Sequence, residues 1–161
     1  MLTIALLCLL AVPLLVLTAG QLGWLQGQRP ADLGVHNGRL KGLSSTPNSV
    51  SSQAHLYPTH PQAPYAAVDP LPIKPAGISA SLASLTRVLK AMPGVVVIDE
   101  QPDYLYAQAQ TRWLNFTDDL EFWVDPERQV IEVRSASRLG RKDFGVNRDR
   151  IESLRKRYLL P

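Results

Sequence analysis

The residues whose types and spacing best suit chemistry lie near the C-terminus, in the stretch RSASRLGRKDFGVNRDR, residues 134–150. Six Lys and Arg side chains stand there among two serines, two aspartates and an asparagine. Guanidinium groups bind phosphate and carboxylate through paired N–H donors, and the free N–H groups at a helix start favour the same anions. Asn147 is predicted to cap a closing helix. The stretch therefore predicts either a site for an external anion or an internal network of charges.

Both alternatives stay open, and the internal network is favoured. The predicted anion site consists of Arg134, Ser135, Ser137, Arg138, Asn147 and Arg148. In the internal network, Asp143 and Asp149 are the partners of the arginines. We expect Arg134, Arg138 and Asp143 to form one hydrogen-bonded unit, because the glycines on either side of the aspartate let the loop fold back.

A second polar stretch, STPNSVSS at residues 45–52, is assigned to the same network through Asn48 and Ser51. Pro47 followed by Asn48 suits a turn, since an asparagine side chain bonds back to its own backbone. None of the serines lies in a nucleophile elbow, and no lysine or histidine is placed beside them by a motif as a base. An enzyme that uses a pocket of Ser, Asn, Asp and Arg stays as the alternative function.

Neither a metal nor a cofactor is predicted. His36, His55 and His60 lie in an irregular segment, without ligand-like spacing to a cysteine or a carboxylate. Asp118 and Asp119 are adjacent on a predicted strand, so their carboxylates point to opposite faces and cannot readily chelate one ion. Nucleic acid is not expected as a partner either, because the basic residues alternate with acids and few aromatics lie among them.

Charge is divided unevenly along the chain, whose formal net charge is +3. Residues 87–132 contain about four Lys and Arg against nine Asp and Glu, whereas residues 134–157 contain about nine against three. An acidic region followed by a basic end either docks on anionic lipid or nucleic acid, or lets the two parts of the chain attract each other. The second interpretation is favoured.

The N-terminal residues 2–25 carry no charged side chain. Some 20 apolar residues, at a rise of about 1.5 Å each, match a hydrocarbon core of about 30 Å. Trp24 stands where an interfacial anchor belongs. The segment predicts a retained single-pass anchor. A cleaved signal peptide is the alternative, because the small residues at 18–20 suit a peptidase.

The order of the predicted elements indicates an α+β fold. Residues 1–26 are assigned to the anchor or signal segment, 27–75 to an extended Pro- and Ser-rich segment packed on the domain, and 76–161 to the α+β domain. One helix, four alternating strands and a closing helix predict an antiparallel four-stranded sheet with both helices on one face. In the second strand, Trp113 is predicted to face inwards with Leu105, Ala107 and Ala109.

Three stretches carry a resemblance to a known family: TPNSVSSQA (46–54), DDLEFWVD (118–125) and VRSASRLGRKDFGVNRDRIESLR (133–155). They resemble the domain of unknown function 1499 family, from about Leu33 to the C-terminus. Similar members are small proteins, often secreted or membrane-anchored in bacteria, with plastid relatives, and the resemblance implies no established activity. Such members usually carry cysteines flanking the Thr-Pro-Asn turn. This chain has serines there, which puts any metal or redox role of that turn in doubt.

These observations predict a membrane-anchored domain of the cell envelope, with a non-catalytic role in binding a ligand, a lipid or a partner, or in structure. The resemblance favours the extracytoplasmic side of an inner membrane. The few cations that follow the apolar segment favour the cytoplasmic side instead. The basic stretch at residues 134–150 suits an anionic ligand or a lipid headgroup, and the sequence specifies no protein partner.

Overall fold

The computed structural model describes residues 2–160, apart from the side chains of residues 2–8 and 10. The helices are α1 (Leu2–Gln21), α2 (Ala63–Ala66), α3 (Ile78–Lys90) and α4 (Val146–Tyr158), with a 3-10 turn at Ala54–Leu56. The strands are β1 (Ser49–Ser51), β2 (Leu71–Pro72), β3 (Val95–Glu100), β4 (Tyr104–Gln110), β5 (Thr117–Asp125) and β6 (Val130–Ser137).

The strands form one antiparallel sheet in the order β1-β6-β5-β4-β3, and β2 pairs with the other end of the free edge of β6. The prediction of an α+β fold with an antiparallel sheet and flanking helices is therefore confirmed. The predicted number of four strands is wrong, since the part of the chain that the structure describes contains six. The two extra strands have three and two residues, which is too short for an alternating pattern to stand out in the sequence.

Helices α3 and α4 cover one face of the sheet and enclose the main core. The core includes Leu85, Leu89, Leu120, Phe122, Ile131, Val133, Ile151 and Leu154. Leu105, Ala107 and Ala109 lie in this core as predicted. Trp113, which was expected to join them, is 63% exposed, because β4 ends at Gln110 and the tryptophan lies in the following loop.

The other face of the sheet is covered by residues 27–46, which run across it without a regular helix or strand. Leu40 is buried against Tyr104, Tyr106 and Trp123, and the neighbouring Leu33 and Val35 pack on the same cluster. Within the predicted extended segment, it is these apolar side chains that contact the sheet. Strands β5 and β6 and most of β4 are thus shielded from water on both faces, whereas Val96 and Ile98 of the edge strand β3 are exposed. The charged side chains described below lie on the shielded strands and at their ends.

The N-terminal helix α1 projects from the domain with exposed side chains such as Leu14 and Leu15. At its last turn, Gly20 is buried against the backbone of Leu114. Among the residues that the structure describes, no helix has both the length and the apolar character needed to cross a membrane. The predicted anchor, residues 2–25, lies partly outside the described side chains.

Gly94, at the turn between α3 and β3, provides a test of this framework. Its φ is +72°, and a Cβ there would lie 2.5 Å from the carbonyl oxygen of Gln110. Gly94→Ala should therefore lower the free energy of unfolding by about 2 kcal/mol or more. Gly42→Ala is the control, because its Cβ would make only an ordinary contact with Tyr57. Thermal melts of the full chain in neutral detergent measure both, and equal effects of the two changes would contradict the analysis.

Candidate functional site

Arg134 and Glu121 form a buried ion pair on the face of the sheet covered by residues 27–46. The antiparallel register places the two residues directly opposite each other on β6 and β5. Nη1 of Arg134 donates to Oε2 of Glu121 at 3.1 Å, and the two residues are 2% and 0% exposed. The other carboxylate oxygen accepts from the backbone N–H of Gly34 at 2.7 Å and from the hydroxyl of Tyr104 at 3.0 Å. Burial, with the adjacent Glu121 carboxylate, raises the pKa of Tyr104 above its ordinary value.

A second ion pair lies two residues along β5, on the same face. Nε of Arg138 donates to Oδ2 of Asp119 at 3.0 Å, and its Nη2 donates to Oδ1 at 2.7 Å. The hydroxyl of Tyr106 donates to the same carboxylate at 2.6 Å. These bonds to Asp119 raise the pKa of Arg138 above its ordinary value and keep it cationic. Arg29, from the covering segment, lies over the ring of Tyr106 with its Cζ 4.2 Å from the ring centroid.

A third ion pair occupies the opposite face of the sheet, towards α4. Nη2 of Arg150 donates to Oδ2 of Asp118 at 2.7 Å, and its Nη1 donates to Oδ1 of Asn147 at 3.0 Å. Asp118 and Asp119 thus point to opposite faces, as their adjacent positions on a strand predict. The acidic strand β5 therefore binds the basic end of the chain at three positions, which bears out the interpretation that the two regions attract each other.

Asp143 organises the start of α4 rather than binding an arginine. Its carboxylate accepts from the hydroxyl of Tyr65, from the backbone N–H of Gly145 at 3.1 Å, and from the backbone and side chain of Asn147 at 3.3 and 2.8 Å. Burial acts to raise the pKa of Asp143, but the hydrogen bonds from Tyr65 and Asn147 outweigh it and hold the pKa below its ordinary value. Asn147 was predicted to cap the helix, whereas the cap position is Gly145 and the helix begins at Val146. The carboxylate of Asp143, which precedes the cap, accepts the N–H of Asn147 in the first turn.

Asn147 connects the three segments that meet at this end of the sheet. Its Nδ2 donates to Oγ of Ser137 at 3.0 Å and to the carbonyl of Asn48 at 3.2 Å, and its Oδ1 accepts from Oγ of Ser135. The side chain of Asn48 donates in turn to the carbonyl of Gly140 at 2.8 Å. The turn at residues 46–48, the end of β6 and the start of α4 are therefore held as one polar unit.

The predicted anion-site residues are therefore divided among different partners. Arg134 and Arg138 bind carboxylates under the covering segment. Ser135, Ser137 and Asn147 bond to one another on the α4 side, and Arg148 donates to the backbone carbonyls of Ala67 and Tyr65. Ser51, at the edge strand, accepts the N–H of Gln53 at 3.1 Å and is paired in register with Arg134.

The expected unit of Arg134, Arg138 and Asp143 is wrong. Arg134 points to the opposite face from its neighbours Ser135 and Val133, because successive strand residues alternate. Asp143 bonds on the α4 side, where Ser135 lies, and so it has no access to either arginine. Asp149, the other expected partner, also forms no ion pair among the described residues. The alternation of strand residues already implies that Arg134 and Ser135 lie on opposite faces. The acidic partners on β5, however, could be assigned only from the strand register.

Two cations of the cluster remain in the loop before α4, and they line a cleft that we call the basic cleft. It has a volume of about 630 Å³ and is lined by Ser45, Thr46, Pro47, Gln62, Arg141, Lys142 and Phe144. Within the described residues, the side chains of Arg141 and Lys142 have neither a hydrogen bond nor an ion pair, and both are exposed. The N–H of Asp143 donates to the carbonyl of Pro47 at 3.2 Å and joins the two walls. Sequence reasoning missed this cleft because its walls are almost 100 residues apart in the chain.

A family model described as "Protein of unknown function (DUF1499)" matches residues 39–158. The chain belongs to this family. The predicted resemblance is thereby confirmed, with a match that begins slightly later than residue 33. None of the curated proteins and none of the solved structures matches the chain significantly. The matched range of the DUF1499 domain contains all three ion pairs and both walls of the basic cleft, whereas α1 and Gly34 precede it.

The DUF1499 domain also has an apolar depression beside the basic cleft. Its volume is about 330 Å³, and its apolar lining is Phe116, Leu139, Phe144 and Val146. Lys142 and Phe144 line both this depression and the basic cleft, so the two are adjacent. Phe144 is 90% exposed and has a left-handed φ of +54°, which bulky residues rarely adopt. The two hollows therefore meet at the exposed ring of Phe144 and at Lys142, and Arg141 lines the basic cleft alone.

Among the described residues of the DUF1499 domain, no three His, Cys, Asp or Glu side chains are placed to hold one metal ion. His55 and His60 instead contact nearby backbone groups, with ring nitrogens 3.0 Å from the carbonyl of Ser52 and 3.1 Å from the N–H of Gln62. His36 pairs through its backbone with Arg39. The three histidines thus lie in separate turns of the irregular segments.

The buried pair of Arg134 and Glu121 should be costly to break. Arg134→Met leaves a buried carboxylate without its cation, which typically costs about 3–5 kcal/mol of stability. Replacing both residues, as Arg134→Met with Glu121→Leu, should recover much of that loss because no charge is left buried. Lys90→Met is the control, since its pair with Glu100 is exposed and should contribute less than about 1 kcal/mol. Urea unfolding of the three variants measures this, and a double variant no more stable than Arg134→Met would contradict it.

Asp143 should make the fold sensitive to acid. Its folded-state pKa lies below the ordinary value of 3.8, so its contribution is complete above that pH and is lost as the pH falls through the lowered folded-state pKa. Asp143→Asn should therefore destabilise the chain at neutral pH and reduce the loss of stability on acidification below about pH 4. Melting temperatures of both proteins between pH 7 and pH 2 check this, and parallel curves for the two would contradict it.

Proposed function

We propose that this protein is a non-catalytic membrane-surface domain, held at a bilayer by its apolar N-terminal segment and resting on the lipid headgroups by one end of its sheet. The observation that supports this most is the position of α1. Its C-terminal end contacts the β4–β5 loop, and that loop carries exposed apolar side chains. We call this end of the domain, formed by residues 111–116 and 138–146, the apolar end.

The attachment of α1 to the apolar end is specific. Nε2 of Gln21 donates to the carbonyl of Trp113 at 2.8 Å, and Nδ2 of Asn115 donates to the carbonyl of Gly20 at 3.1 Å. A Cβ on Gly20 would lie 2.7 Å from the Cα of Leu114, so only glycine allows this approach. An apolar segment that enters a bilayer from this point brings the apolar end to the headgroup region.

The side chains of the apolar end, together with Trp24 just after α1, suit a membrane interface. Trp24 and Trp113 are 74% and 63% exposed, and tryptophan is enriched at headgroup level because its ring is amphipathic. Phe116, Leu139 and Val146 add exposed apolar surface nearby. Arg112, Arg141 and Lys142 lie in the same two loops and are exposed. Each such cation near an anionic surface contributes about 1 kcal/mol of attraction.

A non-catalytic role is supported by the hydrogen bonds that the polar side chains make within the domain. The serines, asparagines, aspartates and arginines that an enzyme would need for a pocket bond mainly to one another in the buried network. Their proton donors and acceptors therefore stabilise the fold. For the side of the membrane, the proposal follows the family resemblance, which favours the extracytoplasmic side of an inner membrane.

Lipid quenching of tryptophan fluorescence tests the proposal. The full chain with Trp24→Phe and Trp123→Phe retains only Trp113, and is reconstituted into vesicles of phosphatidylcholine and phosphatidylglycerol. Lipids brominated near the glycerol end of the acyl chain should quench Trp113 strongly, since it lies at the interface.

The matched control retains only Trp123, which is 8% exposed and lies near the far end of β5. It should be quenched little, because six residues of strand at about 3.3 Å each separate it from the start of β5. If the protein floats with the vesicles while Trp113 is quenched no more than Trp123, the domain does not rest on the bilayer.

A further inference from the structure

We propose that the basic cleft and the apolar depression together bind one anionic amphiphile, with a phosphate group between Arg141 and Lys142 and an acyl chain beyond the ring of Phe144. The proposal names a ligand class for the membrane-surface role proposed above and rests on that role for the source of the lipid. The site itself is formed by the domain alone.

The basic cleft and the apolar depression are adjacent, as a ligand with an anionic head and an acyl chain requires. Lys142 and Phe144 line both, so a group leaving the basic cleft passes directly over them into the apolar depression. On the basic side, the hydroxyls of Ser45 and Thr46 and the amide of Gln62 supply neutral donors around the two cations. On the apolar side, Phe116, Leu139 and Val146 supply the walls.

The charges select a phosphate group. Arg141 and Lys142 are the cations of the cleft, and neither has an internal partner among the described residues. The nearby carboxylate of Asp143 already accepts four hydrogen bonds, from Tyr65, Gly145 and Asn147, and is therefore not free to bind these cations. A zwitterionic choline headgroup would bring its own cation towards this pair, whereas a phosphate monoester brings only negative charge.

The loop holds its exposed ring in place before any ligand arrives. Asp143 binds the wall at Pro47 through its N–H, and its carbonyl accepts the N–H of Val146 at 3.1 Å. Between these two anchored points, Phe144 adopts its left-handed φ of +54° and presents a ring that is 90% exposed. Strained backbone and a solvent-exposed aromatic ring both cost free energy in the unliganded domain. An acyl chain packed on the ring would recover the second of these costs.

Native mass spectrometry of the full chain in maltoside micelles tests the site. A neutral detergent does not compete for the cations. The micelles contain equal amounts of lysophosphatidic acid and lysophosphatidylcholine with the same acyl chain. We expect one adduct of lysophosphatidic acid for each protein chain, in at least tenfold excess over the choline lipid. Equal adducts of both lipids, or no adduct, would overturn the proposal.

Three variants separate the contributions. Arg141→Gln with Lys142→Gln should reduce the adduct at least tenfold, whereas Arg39→Gln with Lys156→Gln removes the same charge elsewhere and should retain it. Phe144→Ser should also reduce it at least tenfold without lowering the melting temperature, since the ring is exposed. Equal losses in the two glutamine pairs would show attraction by net charge alone and would overturn the site.

Inorganic phosphate distinguishes the two sources of the ligand. If the acyl chain contributes, an equal concentration of inorganic phosphate should leave the adduct unchanged. Full displacement would show a site for free phosphate and overturn the amphiphile. The outcome is also independent of the proposed docking, because the adduct is formed in micelles and Trp113 quenching is measured in vesicles. Loss of quenching with a retained adduct would reject the docking alone, and the reverse would reject the lipid site alone.

Discussion

The ion pair between Glu121 and Arg134 is the interaction on which the rest of the structure depends. Both residues lie on the central strands of the sheet, and both are out of contact with water. A buried charge is tolerated only when it is paired and its remaining hydrogen-bonding groups find partners. The sheet provides two partners for the glutamate, Arg134 and Tyr104, and the third comes from the backbone of Gly34 in the covering segment. The covering segment therefore supplies a hydrogen bond to the buried glutamate, and the sheet supplies the apolar surface on which the segment packs.

The same requirement explains why the polar strands β5 and β6 are covered on both faces. Apolar residues of β5 and β6 point to the helices, while Asp119, Glu121, Arg134 and Arg138 occupy or border the other face. The hydroxyls of Tyr104 and Tyr106 donate hydrogen bonds to the carboxylates of Glu121 and Asp119, and their rings lie in one apolar cluster with Leu40. Each tyrosine thus joins the polar layer to the apolar cover. The covering segment closes this layer without needing a helix or strand of its own.

The ion pairs of residues 134–150 also determine which basic side chains remain free to bind a ligand. Arg134, Arg138 and Arg150 are bound to β5, and Arg148 is bound to backbone carbonyls, so the loop between β6 and α4 retains Arg141 and Lys142. This loop lies at the end of the sheet where α1 is attached, beside the exposed Phe144 and Leu139. Charge, apolar surface and the exit of the N-terminal segment are therefore concentrated at one end. That concentration is a consequence of the topology, since the β4–β5 loop and the β6–α4 loop meet where neighbouring antiparallel strands end and begin.

The sequence by itself determined the class of the fold, the core-facing residues Leu105, Ala107 and Ala109 of β4, the attraction between an acidic strand and a basic end, and the family. These follow from periodicity, from local charge and from long matching stretches, which are properties of nearby residues. Only the tertiary structure decided which carboxylate each arginine binds, because that choice depends on strand register and on which face a residue occupies. The basic cleft likewise required the fold, because Thr46 and Lys142 become neighbours only when β1 pairs with β6.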